Sequence, residues 1–460
     1  MSKPPQNNHI LADENIGALL WRLSIPATVG MLVMATYGLV DAIFVGRGVG
    51  PLGIGGIAIV FPIQLAVMAI GHMIGMGGAS IISRALGAGN QERAERTLGN
   101  VAALAIGISA VIMFLAFPLA DRLLQLFGAS EGLLPYAHEY FMVILWGTPF
   151  RAFTMANNNI IRSEGRARVA MTTMLVSAGV NIVLDPIFIF GLGMGVKGAA
   201  LATVIAMGCA STFVAVYFLG GFSGLTLRLR AFALKADIVR ETFAIGAASF
   251  VRMVSGSVVV VILNRSLGQH GGDIAVAAYG AIHRLVHFAF MPMLGFGQAL
   301  QPVAGFNYGA KRYARAKEAF RFATVRSTII GLTAYVLLMA FAEPMMRVFG
   351  DNPELIRVGV PMLRIVIAVF PLVAFQVTGA SLLQAHGRAM SAFILSLSRQ
   401  IIILIPLILV LARFHGVTGI SAAFPIADLA AAAIAAVLIV AEIRYLNSMQ
   451  AELATDSTTG

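Results

Sequence analysis

Three carboxylates sit in strongly apolar surroundings: Asp41 in YGLVDAIFVGRG, Asp185 in VNIVLDPIFIFGLG and Asp428 in FPIADLAAA. An acid at the centre of a membrane helix costs about 2.5 to 3.5 kcal/mol on insertion scales, so such a group is a candidate for function by default. Oxygen-bearing side chains accompany the first two at helical spacing. Tyr37 is one turn before Asp41, Asn181 is one turn before Asp185, and Thr203 falls early in the apolar run that follows. Two carboxyls, an amide, a hydroxyl and a phenol brought together can share a proton, because two like charges at close range do not both ionise cheaply. The same oxygens suit Na⁺, a hard cation. The opposing reading is that the acids are solvated caps near an interface. Asp428 has no acidic companion within the apolar runs of its half of the chain.

A second group is cationic or amidic. Arg252, His283, Arg284, His287, Gln301, Gln376 and Gln384 all lie in apolar runs. Arg284, Arg252, His283, Gln301 and Asp428 are candidates for the polar wall of a substrate cavity. His283 and His287, four apart, have a zinc-ligating spacing, but no HExxH glutamate or third ligand accompanies them, so no metal centre is expected. The strings GVGPLG and GMGVKG fit GxGxxG, yet neither follows a strand; both read as hairpin turns. There is no GxxxxGK[ST] loop, hence no expected use of ATP, and no nucleophile with a base, hence no expected enzyme. The single Cys209 excludes an intrachain disulfide.

These groups need apolar elements to hold them. Of 460 residues 58% are hydrophobic and 12% charged, against about a quarter charged in soluble domains. The net charge of +11 sits in short gaps between apolar runs, which is topological and argues against a nucleic-acid partner. Windows of roughly 20 apolar residues predict twelve spans, near 20–45, 54–82, 98–120, 137–161, 169–191, 198–220, 242–264, 275–304, 322–342, 361–384, 391–412 and 418–441. The expected organisation is an all-α integral membrane protein. It has an N-terminus (1–19), an N-lobe of six spans (20–222), a linker (223–241), a C-lobe of six spans (242–444) and a tail (445–460). Lys and Arg favour one alternate set of gaps, Arg399 being counted there, which places both termini in the cytoplasm and the chain in the plasma (inner) membrane. In this topology Asp41, Asp185 and Thr203 all lie roughly 8 Å beneath the outer boundary, at 1.5 Å per residue.

The halves repeat. GMGGASIISRALGAGNQERAERTLG from Gly75 pairs with GFGQALQPVAGFNYGAKRYARAKEA from Gly295 at an offset of 220, which sets Val261 opposite Asp41. IIRSEGRARVAM and LLQAHGRAMSAF pair at an offset of 222, Gly165 with Gly387. An even number of spans per copy implies a pseudo-two-fold along the membrane normal with a central cleft, the arrangement of many transporters.

The first-span Asp followed by FVGR, LDPIFIFG in the fifth span, GRAR after the fourth, and QPVAGFNYGAKRYARAKEA after the eighth resemble the multidrug and toxic compound extrusion (MATE) family. The last string and AFPIAD are most similar to the branch of staphylococcal multidrug exporters. The resemblance implies an H⁺- or Na⁺-coupled antiporter of small, amphipathic, often cationic organic compounds, working by alternating access within the lipid bilayer as a single chain. It implies an N-lobe cation site at Asp41, Asn181, Asp185 and Thr203, with Asn157 of FTMANNNIIR as a further member and Pro26 as a hinge. Some branches place acids in the seventh and tenth spans. This chain has Arg252 and Gln376 or Gln384 there, so no C-lobe sodium site is carried over. Two alternatives stay open: a flippase for a lipid-linked oligosaccharide, which Arg151, Arg252 and Arg284 would suit, and a membrane receptor without transport.

Overall fold

The computed structural model describes residues 11–12 and 15–459, and within them every regular element is helical. In chain order these are α1 (Ile16–Gly48), α2 (Pro51–Gly87), α3 (Gln91–Ala116), a short α4 (Ala120–Leu126), α5 (Leu134–Ser163) and α6 (Ala167–Pro186). A π-helical turn (Ile187–Gly191) continues α6 directly; α7 (Gly195–Leu219) and a 3₁₀ turn (Leu229–Phe232) follow. Then come α8 (Ala236–Gly309), α9 (Tyr313–Ala340), a short α10 (Ala342–Arg347), α11 (Pro353–Val366), α12 (Phe370–Ala385), α13 (Ala389–Leu397), a π-helical segment (Ser398–Leu404) and α14 (Ile405–Thr459). Among the described residues eight helical stretches are long and apolar enough to cross a membrane, nine if one bent pair counts as a span. Two of the eight are paired helices run together, broken at Gly272 in α8 and Gly416 in α14, where the backbone turns to positive φ.

The window at 361–384 is not one helix. The chain bends by 48° between α11 and α12. Pro371, at the start of α12, has no N–H to give to a preceding turn and disfavours helical geometry in the residue before it. Short α4 and α10, which the windows did not separate, follow the third and ninth of them.

The repeat is sharper in the backbone than in the letters. Positive φ occurs at Gly50 and Gly272, Gly89 and Lys311, Gly128 and Gly350, and Gly165 and Gly387, each pair 222 residues apart. The turn after α2 is closed by Ala88 N–H to Arg84 O, Gly89 N–H to Leu86 O and Asn90 N–H to Ala85 O, and the turn after α8 by Ala310 to Phe306, Lys311 to Tyr308 and Arg312 to Asn307. The same three bonds close the turns at Gly165 and Gly387. The offset of 220 from Gly75 is therefore corrected to 222: it matched glycine letters, whereas helix ends and turn hydrogen bonds fix the register two residues later. The residue opposite Asp41 is then Leu263, fully buried in an apolar core, and not the largely exposed Val261.

Among the described residues the chain divides into two compact units, one of Pro26–Gly246, the other taking the residues from 11 to 25 together with Ala247 onward. In the first unit the segment before α8 is stitched down by Asn100, whose amide donates to the carbonyls of Ala231 and Ala233 and whose Oδ1 accepts from Lys235 N–H. Glu241 accepts from Arg84 at 2.8 Å and Arg93 at 2.7 Å. Gly77 and Gly246 allow α2 and the start of α8 to touch; a Cβ on Gly77 would lie 2.0 Å from Thr242 O. At the end of α5, buried Glu164 accepts from Tyr217 Oη at 3.0 Å, Ser223 Oγ at 2.5 Å and Leu225 N–H at 3.2 Å, tying α5 to the end of α7. In the second unit the beginning of α1 packs with α8, Trp21 meeting Phe296 edge-on at 4.8 Å. At the end of α12, Glu442 accepts from His386 and Arg388, at 2.9 and 2.8 Å.

Two stability predictions follow from these turns. Lys311 is the one non-glycine described residue with positive φ (58°), a conformation that costs an L-residue about 1 to 2 kcal/mol. Lys311→Gly, as in its counterpart Gly89, is expected to raise stability by about 0.5 to 1 kcal/mol after the added chain entropy, read as an upward shift in thermal unfolding. Burial pushes the Glu164 carboxyl above its usual range, against the opposing effect of its Ser223 and Tyr217 hydrogen bonds. A carboxyl raised in the folded state contributes most below its unfolded value, and that contribution fades as pH rises through the folded one. Glu164→Gln is therefore expected to flatten the decline of melting temperature between pH 5 and pH 8; a decline as steep as in the unaltered protein refutes the assignment.

Candidate functional site

The first unit brings together the oxygen-bearing side chains singled out from the sequence. α6 carries Asn181 and Asp185 one turn apart, both fully buried, and ends at Pro186, after which the helix widens into its π turn. Such turns occur frequently at functional sites. From α7 comes buried Thr203, whose hydroxyl accepts from Asn181 Nδ2 at 3.1 Å. α1 supplies Asp41, close enough to Asp185 for the two carboxyls to act on one another, and one turn earlier Tyr37, in the neighbourhood of Thr203.

The arrangement is short of donors. Asp41 Oδ1, Asp185 Oδ1 and Oδ2, and Asn181 Oδ1 are buried with no donor in reach among the described residues. Buried acceptors left in this state cost free energy. Two neighbouring carboxyl groups with no donor do not both ionise cheaply, and a shared proton or a cation that both can ligate relieves them. The chemistry of the set thus fits a proton or a hard monovalent cation.

Other candidates are placed differently. Asn157 is fully buried, and its amide donates to Phe153 O at 2.8 Å within its own helix. Its Oδ1 also lacks a donor. α1 runs through Pro26, the first residue of the first unit. In the second unit Arg252 is half-buried and reaches Ser249 Oγ at 3.4 Å. His283 and Arg284 are exposed; His283 stacks between Tyr279 and His287, at 5.9 and 6.0 Å. Gln301 is buried.

Asp428 does have a partner, of opposite charge. Its Oδ1 accepts from Arg399 Nε at 2.5 Å, and its backbone carbonyl accepts from Gln376 Nε2 at 3.0 Å. Arg399 is therefore not a gap charge. It stands in the π-helical segment between α13 and α14, inside the window at 391–412. Sequence reasoning passed over Tyr140, which receives Gln64 Nε2 at 3.5 Å; Arg151, read from the sequence only as suited to a lipid-linked cargo, lies near enough for its charge to act on Tyr37 and Tyr140. Arg399 falls inside a predicted span although it was counted as a gap charge, and that mismatch was the signal for a buried partner; nothing in the letters pointed to Tyr140.

Comparison with known proteins points one way. A family model described as MatE matches residues 26–187 and 248–410, two segments whose starts are again 222 residues apart. The multidrug export protein MepA of Staphylococcus haemolyticus is 27% identical over 410 residues, covering 89% of this chain and 90% of that protein. MepA of Staphylococcus aureus strain MSSA476 is 26% identical over 427 residues, 92% and 93% of the two chains. Among solved structures, a crystal structure of MATE in the bent conformation superposes with a TM-score of 0.92 at 27% identity, over 98% of this chain and 100% of the other. The outward-facing conformation of a multidrug resistance MATE transporter of the MOP superfamily gives 0.90 at 27% identity, over 97% and 100%. With the family model matched over more than half of its length, and relatives aligned from near one end to the other, this multi-pass membrane chain belongs to the MatE family.

Proposed function

We propose that this protein is an antiporter that exports small, amphipathic, often cationic organic compounds in exchange for H⁺ or Na⁺ by alternating access, as a MATE transporter of the MepA-like branch. The observation that carries the reading is the donor-poor oxygen cluster of Asp41, Asn181, Asp185 and Thr203, with Tyr37 beside it, built into a family of transporters. The names of the relatives support multidrug compounds as cargo.

In this reading the chain has twelve spans in two six-helix lobes, 20–222 and 242–444, joined by a linker at 223–241. A pseudo-two-fold runs along the membrane normal, and both termini lie in the cytoplasm of a plasma (inner) membrane. The spacing of 222 between turns supports that count, since α8, α14 and the bent pair each resolve into more than one segment. A single chain suffices, without ATP, metal or organic cofactor.

The cation enters from outside and neutralises the Asp41–Asp185 pair, and the loaded state is the one that releases drug outward. For loading to drive the cycle, the cation must bind one state more tightly than the other. A tenfold preference corresponds to about 1.4 kcal/mol. Asn157, matched through the family motif FTMANNNIIR, joins the network in another state, and Pro26 is where α1 bends as states exchange.

The test is efflux of a fluorescent organic cation from proteoliposomes under a pH gradient and a Na⁺ gradient imposed separately. One gradient is expected to drive efflux, naming the ion, and Asp41→Asn or Asp185→Asn is expected to lower that rate at least tenfold. Thr203→Ala removes one hydrogen bond, worth about 0.5 to 1.5 kcal/mol, and is expected to weaken cation dependence about two- to tenfold. Efflux that is insensitive to both gradients, or unchanged in Asp41→Asn, refutes the coupling assignment.

A further inference from the structure

Each unit places a π-helical segment beside a charged residue, but the two charges are handled in opposite ways. In the first unit the π turn follows Asp185, whose oxygens have no donor. In the second, the π segment contains Arg399, and Arg399 sits on Asp428. The acid of the second unit is thus already supplied with a cation, and that cation is part of the chain.

The pair is asymmetric in exposure. The Asp428 side chain is 6% exposed and that of Arg399 30%, so the arginine is the more accessible member of the pair. Around it the second unit offers flat and acceptor groups. Tyr279 lies close enough to feel the charge of Arg399, and its ring is 5.8 Å from Phe424 and 5.9 Å from His283, which is 6.0 Å from His287. Four planar rings therefore form a row leading away from the ion pair. Beside Arg399, Gln400 holds a buried Oε1 with no donor in reach among the described residues. These groups all belong to the second unit and play no part in the Asp41–Asp185 cluster.

We propose that Arg399 is a tethered cation seated on Asp428 where the cationic group of an exported planar aromatic compound binds, so that the internal pair and bound substrate exclude one another. This rests on the export reading and adds to it a specificity-determining residue. A buried carboxylate is not left bare at low cost; if Arg399 moves off, another cation must take its place. An aromatic cation does so while stacking on the row of rings, which reward both the flat surface and the charge. Compounds without a cation cannot displace Arg399. The guanidinium thus acts as a competitor of fixed, high local concentration, setting the affinity a cation must exceed.

The experiment measures equilibrium binding of ethidium, a planar aromatic monocation, and of N-phenyl-1-naphthylamine, a neutral aromatic probe, to the full chain in lipid nanodiscs. Arg399→Gln is expected to lower the Kd for ethidium at least tenfold and leave that for the neutral probe within twofold. Combining Arg399→Gln with Asp428→Asn is expected to abolish the gain. Asp428→Asn alone is expected to weaken ethidium binding at least tenfold, which keeps the proposal testable if Arg399→Gln does not yield monodisperse protein. An ethidium Kd within twofold of the unaltered protein in Arg399→Gln or in Asp428→Asn, or a gain that persists in the double variant, overturns it and leaves the pair as a structural strut. Gradient-driven ethidium efflux by the unaltered protein separates the two levels: efflux with unchanged Kd values removes this proposal alone, whereas no efflux removes the export reading with it.

Discussion

In hydrocarbon every backbone N–H and C=O must be satisfied within the chain, and every charge must find a partner or a cavity. The rest of the structure depends on that constraint. It leaves the helix as the only element for a chain of this composition and confines breaks to places where the freed groups are bonded again. The four turns at Gly89, Gly165, Lys311 and Gly387 are such places: each closes three backbone hydrogen bonds around one residue of positive φ. One solution, repeated, is why both halves keep the same register over so many residues despite sharing few letters.

The same constraint sorts the polar side chains into two classes. Glu164, Glu241 and Glu442 are answered by the chain itself, through hydroxyls, an imidazole and guanidinium groups, and each ties the end of one helix to another segment. Asp428 is answered by Arg399. Asp41, Asp185 and Asn181 face each other with acceptors and almost no donors. A cluster left short of donors stands apart from those that the chain answers itself.

The two π-helical segments belong to this picture. A π turn interrupts the regular ladder and re-aims the side chains beside it. Here one follows Asp185 and the other holds Arg399, so in each unit the irregular backbone stands next to the charged group and not in the purely apolar stretches. Neither unit spends its irregularity where only lipid or core is in contact.

The sequence by itself determined the class of the protein and the positions of its apolar runs, and it singled out Tyr37, Asp41, Asn181, Asp185 and Thr203 as candidates for one oxygen-rich site. It could do so because burying an acid in an apolar helix is costly enough to mark the residue, and because helical spacing is periodic. It misjudged what depends on contact. The bend before Pro371 was legible as a proline, but not as a break between two helices. The repeat register was off by two residues, because glycine letters recur every few positions while turn hydrogen bonds do not. Arg399 and Asp428 lie 29 residues apart in chain, on segments whose facing sides no spacing rule predicts, and only the packing of the π segment against α14 made them a pair. Sequence fixes which groups are too costly to leave unpartnered in a membrane; tertiary structure decides which partner each receives, because that depends on the rotation of one helix against its neighbour.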